Sequence, residues 1–449
     1  MTETETGTWI VDNGIVATGG TPERVLHNGA VLWQGERIVE VGRAAELGAR
    51  HPEAQHLDAR GGLILPGLVN LHHHLYSLPA RGLDPGIAMN GFGPVLEHLW
   101  WRLDRALDAE AVRLAAALTL TECIRTGCTT LFDHHASPAV LDGSLDLIAA
   151  EVERAGLSAV LCYEASDRNG RDEALAGLAE SLRFHTARRH DPRIRGMLGL
   201  HASFTLNDAT LDRAAADRPP EAGCHIHLAE DILDVRASID RHGAAPVERL
   251  HRTGLLDDRA LLAHGIHLDG SELDTIAAAG AVIVHNPESN ANNGVGRLDL
   301  ARALAHGCTL GLGTDGMASA MLRALRAAFL GCRAATTDRS AGFAEIPTLL
   351  PANRAFARRL LDEPLLGELT PDAPADLIVL DYPPATPLDT TNLFGHLVYA
   401  ASEAPVRHTI AHGRILMQDH ELTTLDPVEL AEESRAVAPG VWERFRRLG

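Results

Sequence analysis

The chain has 449 residues, 45% of them hydrophobic, which suits one large core-bearing domain with a smaller companion rather than a string of modules. Its formal net charge of −20, from 40 basic and 60 acidic residues, disfavours nucleic acid and anionic membranes as partners. No apolar stretch reaches membrane-spanning length, and Met1–Thr8 is polar and acidic, so neither a span nor a secretory signal is expected.

The six cysteines (Cys123, Cys128, Cys162, Cys224, Cys308 and Cys332) show no paired spacing and read as free thiols of a cytoplasmic protein. Aromatic residues make up only 4%, so the core must rest on Ala, Leu, Val and Ile, as it does where helices pack round a buried parallel sheet. Every basic side chain other than histidine is arginine; the sequence contains no lysine.

From Trp9 to Leu65 the chain reads as short strands and turns, with Asn13-Gly14, Asn28-Gly29 and Gln34-Gly35 punctuating β-rich runs such as Ile38–Val41. The middle has another rhythm, in which eight apolar runs end in polar clusters: Leu63–His74, Thr129–His135, Ala159–Ser166, Ile194–Phe204, Cys224–Glu230, Ala260–His267, Ala281–Asn286 and Thr309–Asp315. Helical patterning separates them, for example in Ala109–Thr126, Asp172–Arg188 and Leu298–His306. Eight strand–helix alternations predict a (β/α)8 barrel with its functional residues where strands end and loops begin. The β texture returns in Asp376–Asp381, Val406–His412 and Arg414–Met417, with a turn at His412-Gly413 and a charged helix expected over Asp426–Arg447. The expected fold is therefore α/β, a TIM-like barrel over residues 66–362. A small β-sandwich domain is expected from both termini, residues 1–65 and 363–449.

Most of the eight runs end in His, Asp or Glu, which a barrel core does not need. His72 and His74 are two apart at the end of the first run, so in a strand they share a face while His73 points away. His227 and Glu230 close the fifth run, His264 the sixth and Asp315 the eighth. Any one of these could be an ordinary polar strand end. Four strand ends offering imidazole or carboxylate together point to a metal site.

These strings resemble a known family. Pro66-Gly67-Leu68-Val69-Asn70-x-His72-x-His74, His227-x-x-Glu230, Ala263-His264 and Gly313-Thr314-Asp315-Gly316 resemble the amidohydrolase superfamily. Within it they are similar to the aminohydrolase branch that includes guanine, adenosine-type, triazine and pterin deaminases. Gly367-x-Leu369-x-Pro371-Asp372-Ala373-x-Ala375-Asp376-Leu377 is similar to the segment where that family re-enters its small β domain. Four longer strings resemble the aminohydrolases called SsnA: Trp100-Trp101-Arg102-Leu103-Asp104-Arg105, Phe132–Pro138, Cys162–Arg168 and His285–Asn290.

The resemblance implies roles. His72, His74, His227 and Asp315 would hold one divalent metal, zinc or else iron, with Asp315 also taking a proton from the attacking water. Glu230 would carry a proton to the substrate, His264 would orient the water, and His201 would contact substrate. Glu164, Arg168, His135 and Asn290 are further substrate-contact candidates; Arg168 could instead belong to a structural ion pair, and either His134 or His135 could instead support a ligand by hydrogen bonding. His73, where the family usually has a small or polar residue, is expected to be structural. The segment Leu78–Leu99 is either a pocket loop or an oligomer contact.

Three imidazoles and a carboxylate leave a coordination position for water, and a metal can lower that water's pKa towards roughly 7. Binuclear members bridge two metals with a carbamylated lysine, which this chain cannot supply, so one metal is expected. The expected function is a metal-dependent aminohydrolase that releases ammonia from an amino-substituted carbon of a purine-, pterin- or pyrimidine-like heterocycle. Hydrolytic opening of a cyclic amide or amidine ring, and a non-catalytic barrel, are the alternatives. The expected partners are a small heterocyclic substrate and, from the resemblance, a second copy of the chain in a homodimer.

Overall fold

The computed structural model describes residues 7–448; most of the Met1–Thr8 stretch lies outside them. The N-terminal end supplies β1 (Thr8–Ala17), β2 (Val25–Gln34), β3 (Arg37–Arg43), β4 (Gln55–Asp58) and β5 (Leu63–Pro66). The middle supplies β6 (Leu68–His73), β7 (Cys128–His135), β8 (Ser158–Tyr163), β9 (Ile194–Gly196), β10 (Leu198–Ala202), β11 (Cys224–Leu228), β12 (Ala260–His264), β13 (Val282–His285) and β14 (Thr309–Leu312). The C-terminal end adds β15 (Leu377–Leu380), β16 (Val406–Ala411), β17 (Arg414–Gln418) and β18 (Glu421–Leu422).

Strands from the two ends form one nine-stranded sheet, joined where β5 runs antiparallel to β15. Val11, Trp33 and Ile64 from one half share an apolar cluster with Leu377, Val379 and Ile410 from the other, so the sheet folds over on itself as a sandwich. The Trp33 indole crosses that core and donates to the Gly413 carbonyl at 3.0 Å.

Two of the expected turns are bulges instead. Asn13 and Asn28 hold left-handed φ angles of 54° and 48° inside β1 and β2, and Gly14 pairs with Gly29 between two register shifts. Asparagine tolerates that backbone region, so each Asn-Gly kinks a long strand rather than ending it. A short helix, Ala44–Arg50, also interrupts this stretch, anchored by the buried Leu47 against Ile10 and Leu32. Seven residues with a single buried anchor carry too little periodicity to be read as a helix.

β6–β9 and β10–β14 form two parallel arcs. Bridges Ala165–Leu200 and His73–Asp315 join them, and β9 and β10 act as one broken strand about Met197, giving the eight staves of the barrel. The first apolar run divides at Gly67: Leu63–Pro66 belongs to the sandwich and Leu68–His73 to the barrel. A Cβ at Gly67 would lie 2.1 Å from the Thr129 hydroxyl, so only glycine lets the chain pass from one sheet to the other there. Val69, Leu71, Phe132, Val160, Leu261, Val284 and Phe356 form one buried cluster inside the barrel. Helices Ala109–Arg125, Arg171–Ala187, Leu300–Ala305 and Pro427–Arg447 fall where the patterning predicts them. Among the described residues, no helix is long and apolar enough to cross a membrane.

Candidate active site

The barrel brings its polar strand ends together at one mouth. His72 and His74 come from the end of β6, His227 from β11, His264 from β12, and Asp315 from just beyond β14. His74 Nε2 lies 3.0 Å from Asp315 Oδ1 and 3.1 Å from His227 Nε2; His72 Nε2 lies 3.6 Å from the same carboxylate. His264 Nε2 stands 3.7 Å from Asp315 Oδ2 and 3.5 Å from Glu230 Oε2. Ligand atoms of His72, His227, His264 and Asp315 lie within 4.8 Å of one another, as do those of His72, His74, His134 and His227.

Local backbone strain aims these groups. Ala229, His264 and Asp315 hold φ angles of 47°, 79° and 55°, each just where a strand turns into its loop. Left-handed non-glycine residues cost free energy and persist where the surroundings over-determine them, often at functional sites. Gly313 permits the approach of β14 to β6: a Cβ there would lie 2.9 Å from that of His72 and 2.4 Å from Asn286 Oδ1.

The residues present fit a divalent metal. Each convergent imidazole uses Nδ1 elsewhere: His74 donates to the His134 carbonyl at 2.5 Å, His227 to the His201 carbonyl at 2.8 Å, and His264 to Asn290 Oδ1 at 2.7 Å. His72 Nδ1 lies 2.8 Å from His225 Nε2. For His227 and His264 the oxygen acceptors fix the Nδ1–H tautomer that leaves Nε2 free, as metal-ligating histidines require. The Nε2 atoms of His72 and His264 are buried with no hydrogen-bond partner. Burial drives His72 and His227 well below the usual histidine range, keeping their lone pairs unprotonated. Burial opposes ionisation of Asp315 too, but the neighbouring imidazoles of His72 and His74 outweigh it and hold the carboxyl well below its usual value. His74 is pushed down by burial but lifted further by Asp315, to about 9, so an entering cation would displace a proton from it.

Beside this cluster opens a cavity of about 800 Å³, its mouth included. Phe92, Leu96, Trp100, Trp101 and Phe204 supply an apolar wall, and Glu164, Arg168, His201 and Glu230 supply polar groups. Burial raises Glu230 to about 7 against the opposing pull of His264, and Asn293 donates to it at 3.2 Å. His201 and Glu164 thus face the cavity. His135 and Asn290 do not line it: His135 Nε2 bonds Ser137 Oγ at 2.8 Å, and Asn290 sits behind His264. His73 turns away from the cluster, its Nδ1 donating to the Asp315 carbonyl at 2.5 Å and its Nε2 2.9 Å from Ser319 Oγ. His225, Ser289 and Asn293 were not foreseen as parts of the site. His225, two residues before His227 on one strand, could have been read by the same alternation that exposes His72 and His74. Ser289, which donates to Asp315 Oδ2, and Asn293 lie on a helix whose register the motif does not fix.

Residues 63–416 match the model of the amidohydrolase family, and residues 29–54 match an imidazolonepropionase-like composite domain of bacteria. The chain belongs to the amidohydrolase family. It is 31% identical to a 5-methylthioadenosine/S-adenosylhomocysteine deaminase of Nitratidesulfovibrio vulgaris, over 98% of each chain. A 5'-deoxyadenosine deaminase of Methanothermobacter thermautotrophicus is also 31% identical, over 92% of this chain and 96% of its own. Among solved structures, an adenosine deaminase from Xanthomonas campestris with bound zinc superposes with a TM-score of 0.82 at 25% identity, covering 99% of each chain. These similarities place the amidohydrolase in the deaminase branch, as a hydrolase acting on carbon–nitrogen bonds. The histidine cluster is of the kind that holds the divalent metal of this family.

Proposed function

We propose that the amidohydrolase removes an amino group from a nitrogen heterocycle, using one divalent metal, zinc in the first instance, held by His72, His74, His227 and Asp315. The observation that carries this reading is the convergence of the His72, His74 and His264 Nε2 atoms on Asp315, those of His72 and His264 without partners, with Glu230 3.5 Å from His264 at the cavity wall. A bound metal supplies Lewis acidity, lowering the pKa of water towards roughly 7. Asp315, ionised and pinned by Ser289 and the Gly316 N–H, accepts a proton from the attacking water. His264, its Nδ1 anchored on Asn290, orients that water with Nε2. Glu230, held near neutrality by burial, delivers its proton to the ring nitrogen; the proton that Asp315 took from water passes to the leaving amine, and Glu230 regains a proton from the new hydroxyl as ammonia departs. His201 stands where it can bond substrate, its Nδ1 fixed by the Thr205 hydroxyl at 2.8 Å. The absence of lysine supports one metal rather than a carbamate-bridged pair.

The proposed setting is a cytoplasmic homodimer acting on a small molecule; the charge of −20 argues against nucleic acid and anionic membranes. Ammonia release from purines, pterins and pyrimidines with zinc or iron restored tests the reading. Loss of ring absorbance without ammonia would indicate ring opening instead. No turnover, with metal that cannot be loaded to stoichiometry, would favour a non-catalytic barrel.

A further inference from the structure

One wall of the cavity takes no part in moving that proton. Glu164, just beyond β8, and Arg168, four residues later, both open onto it, with only 2% and 8% of their side chains exposed. Glu164 Oε1 lies 3.7 Å from one terminal nitrogen of Arg168, and the other bonds Asp104 Oδ2. The trio is not saturated: Arg168 Nε, Glu164 Oε2 and Asp104 Oδ1 are buried without hydrogen-bond partners. Asp104 does not line the cavity, but Glu164 and Arg168 do, and a buried polar atom without a partner on each of two adjoining lining side chains points to a ligand that engages this wall. Glu164 also lies within 4.8 Å of ligand atoms of His201 and His227, so a ring seated at the histidine cluster reaches it. The Trp101 ring packs 5.5 Å from the Arg168 guanidinium and 6.4 Å from Phe204, giving that ring a flat apolar surface.

We propose that Arg168 and Glu164 read a lactam edge, a ring carbonyl beside a ring N–H, and that the substrate is a 2-amino-4-oxo heterocycle rather than an adenine nucleoside. This rests on the aminohydrolase reading and narrows it. Guanidinium N–H groups donate to a carbonyl, and the neighbouring carboxylate accepts the adjacent N–H, so the two side chains match that edge atom for atom. The ring of a 6-aminopurine nucleoside offers no N–H beside a carbonyl. It would leave Arg168 and Glu164 desolvated without those bonds, which is the strong form of discrimination. Among the described residues lining the cavity, Arg168 is the sole guanidinium, and it stands between two carboxylates.

The test uses the full chain loaded with zinc and follows ammonia release from guanine, pterin and isocytosine against 2-aminopurine, adenosine and 5'-methylthioadenosine. 2-Aminopurine carries its amino group where guanine does but lacks the lactam. The expected result is a kcat/KM for guanine about 10²-fold or more above that for 2-aminopurine, and removal of that preference by Arg168→Met. A variant that merely loosened the fold would slow both compounds alike and leave the ratio intact, which would overturn the proposal. If Arg168→Met does not fold, Glu164→Gln reads the same ratio, and the wild-type panel decides by itself. Adenosine or 5'-methylthioadenosine as the better substrate would overturn the lactam assignment while leaving the aminohydrolase reading in place. No ammonia from any compound with stoichiometric zinc bound would bring down both.

Discussion

Glu230 and Asp315 flank His264 at nearly equal distances, 3.5 and 3.7 Å, yet their environments drive them apart. Burial lifts Glu230 to about 7, whereas the two imidazoles beside Asp315 hold it well below the carboxylate range. Two carboxyls pushed in opposite directions suit the proposed division between proton carrier and proton acceptor. Glu230→Gln should lower kcat by about 10²–10⁴-fold while zinc content, measured by elemental analysis, stays unchanged. A loss of metal instead would make Glu230 a ligand.

Asp133 sets a different residue-scale test. Burial raises its carboxyl to about 7, against the Leu75 N–H that donates to it at 2.7 Å. The sign follows from a folded pKa above the unfolded one: the neutral form favours folding, and stability falls as pH climbs from the unfolded value through 7. Between pH 5 and 8, Asp133→Asn should gain about 2–3 kcal/mol on the wild type, read from urea unfolding at the two pH values. A gap that does not widen would show that Asp133 is ionised at little cost. At this scale His72 and His74 were legible because alternation in a strand puts i and i+2 on one face, and His227, His264 and Asp315 because each lies at the polar end of an apolar run. The partners that fix their tautomers were not, because register between strands brings His225 to His72 and Asn290 to His264.

Elements carry the cavity wall. The segment bearing Trp100, Trp101 and Asp104 is braced by the last helix: Arg102 donates to the Phe445 carbonyl at 3.0 Å and lies 4.1 Å over its ring. The Trp442 indole donates to the Pro79 carbonyl at 2.9 Å, tying the helix to the turn that follows the β6 histidines. Phe445 is fully buried, so Phe445→Ala should cost about 3–5 kcal/mol and raise KM more than it lowers kcat, since it loosens the wall and not the metal cluster. An unchanged KM would show that the helix does not support the site. The sequence announced this helix as a charged surface element. What it braces was hidden, because Arg102 and Phe445 meet across almost the whole chain length. The Asn-Gly pairs taught the converse: local chemistry named the left-handed residue, but only pairing with the neighbouring strand decided bulge rather than turn.

Across the whole molecule, the metal cluster gathers strand ends from both arcs of the barrel, so occupancy and stability are linked. A metal that binds only the folded state adds about 4 kcal/mol at a concentration 1,000 times its Kd. Chelation should therefore lower the melting temperature and zinc restore it, whereas His227→Asn should respond weakly to either; an unshifted melting curve would mean that the cluster binds no metal in the folded state. The sequence by itself determined the alternation of apolar run and helix, the family, and the strand-end residues. These are written in local periodicity and in short motifs whose spacing the backbone fixes. Only the tertiary structure decided that the two ends share one folded sheet, that Gly67 divides the first run, and that Arg168 and Glu164 stand unsatisfied beside the cavity. Those outcomes depend on which distant surfaces meet and which polar atoms are left without partners once they have met.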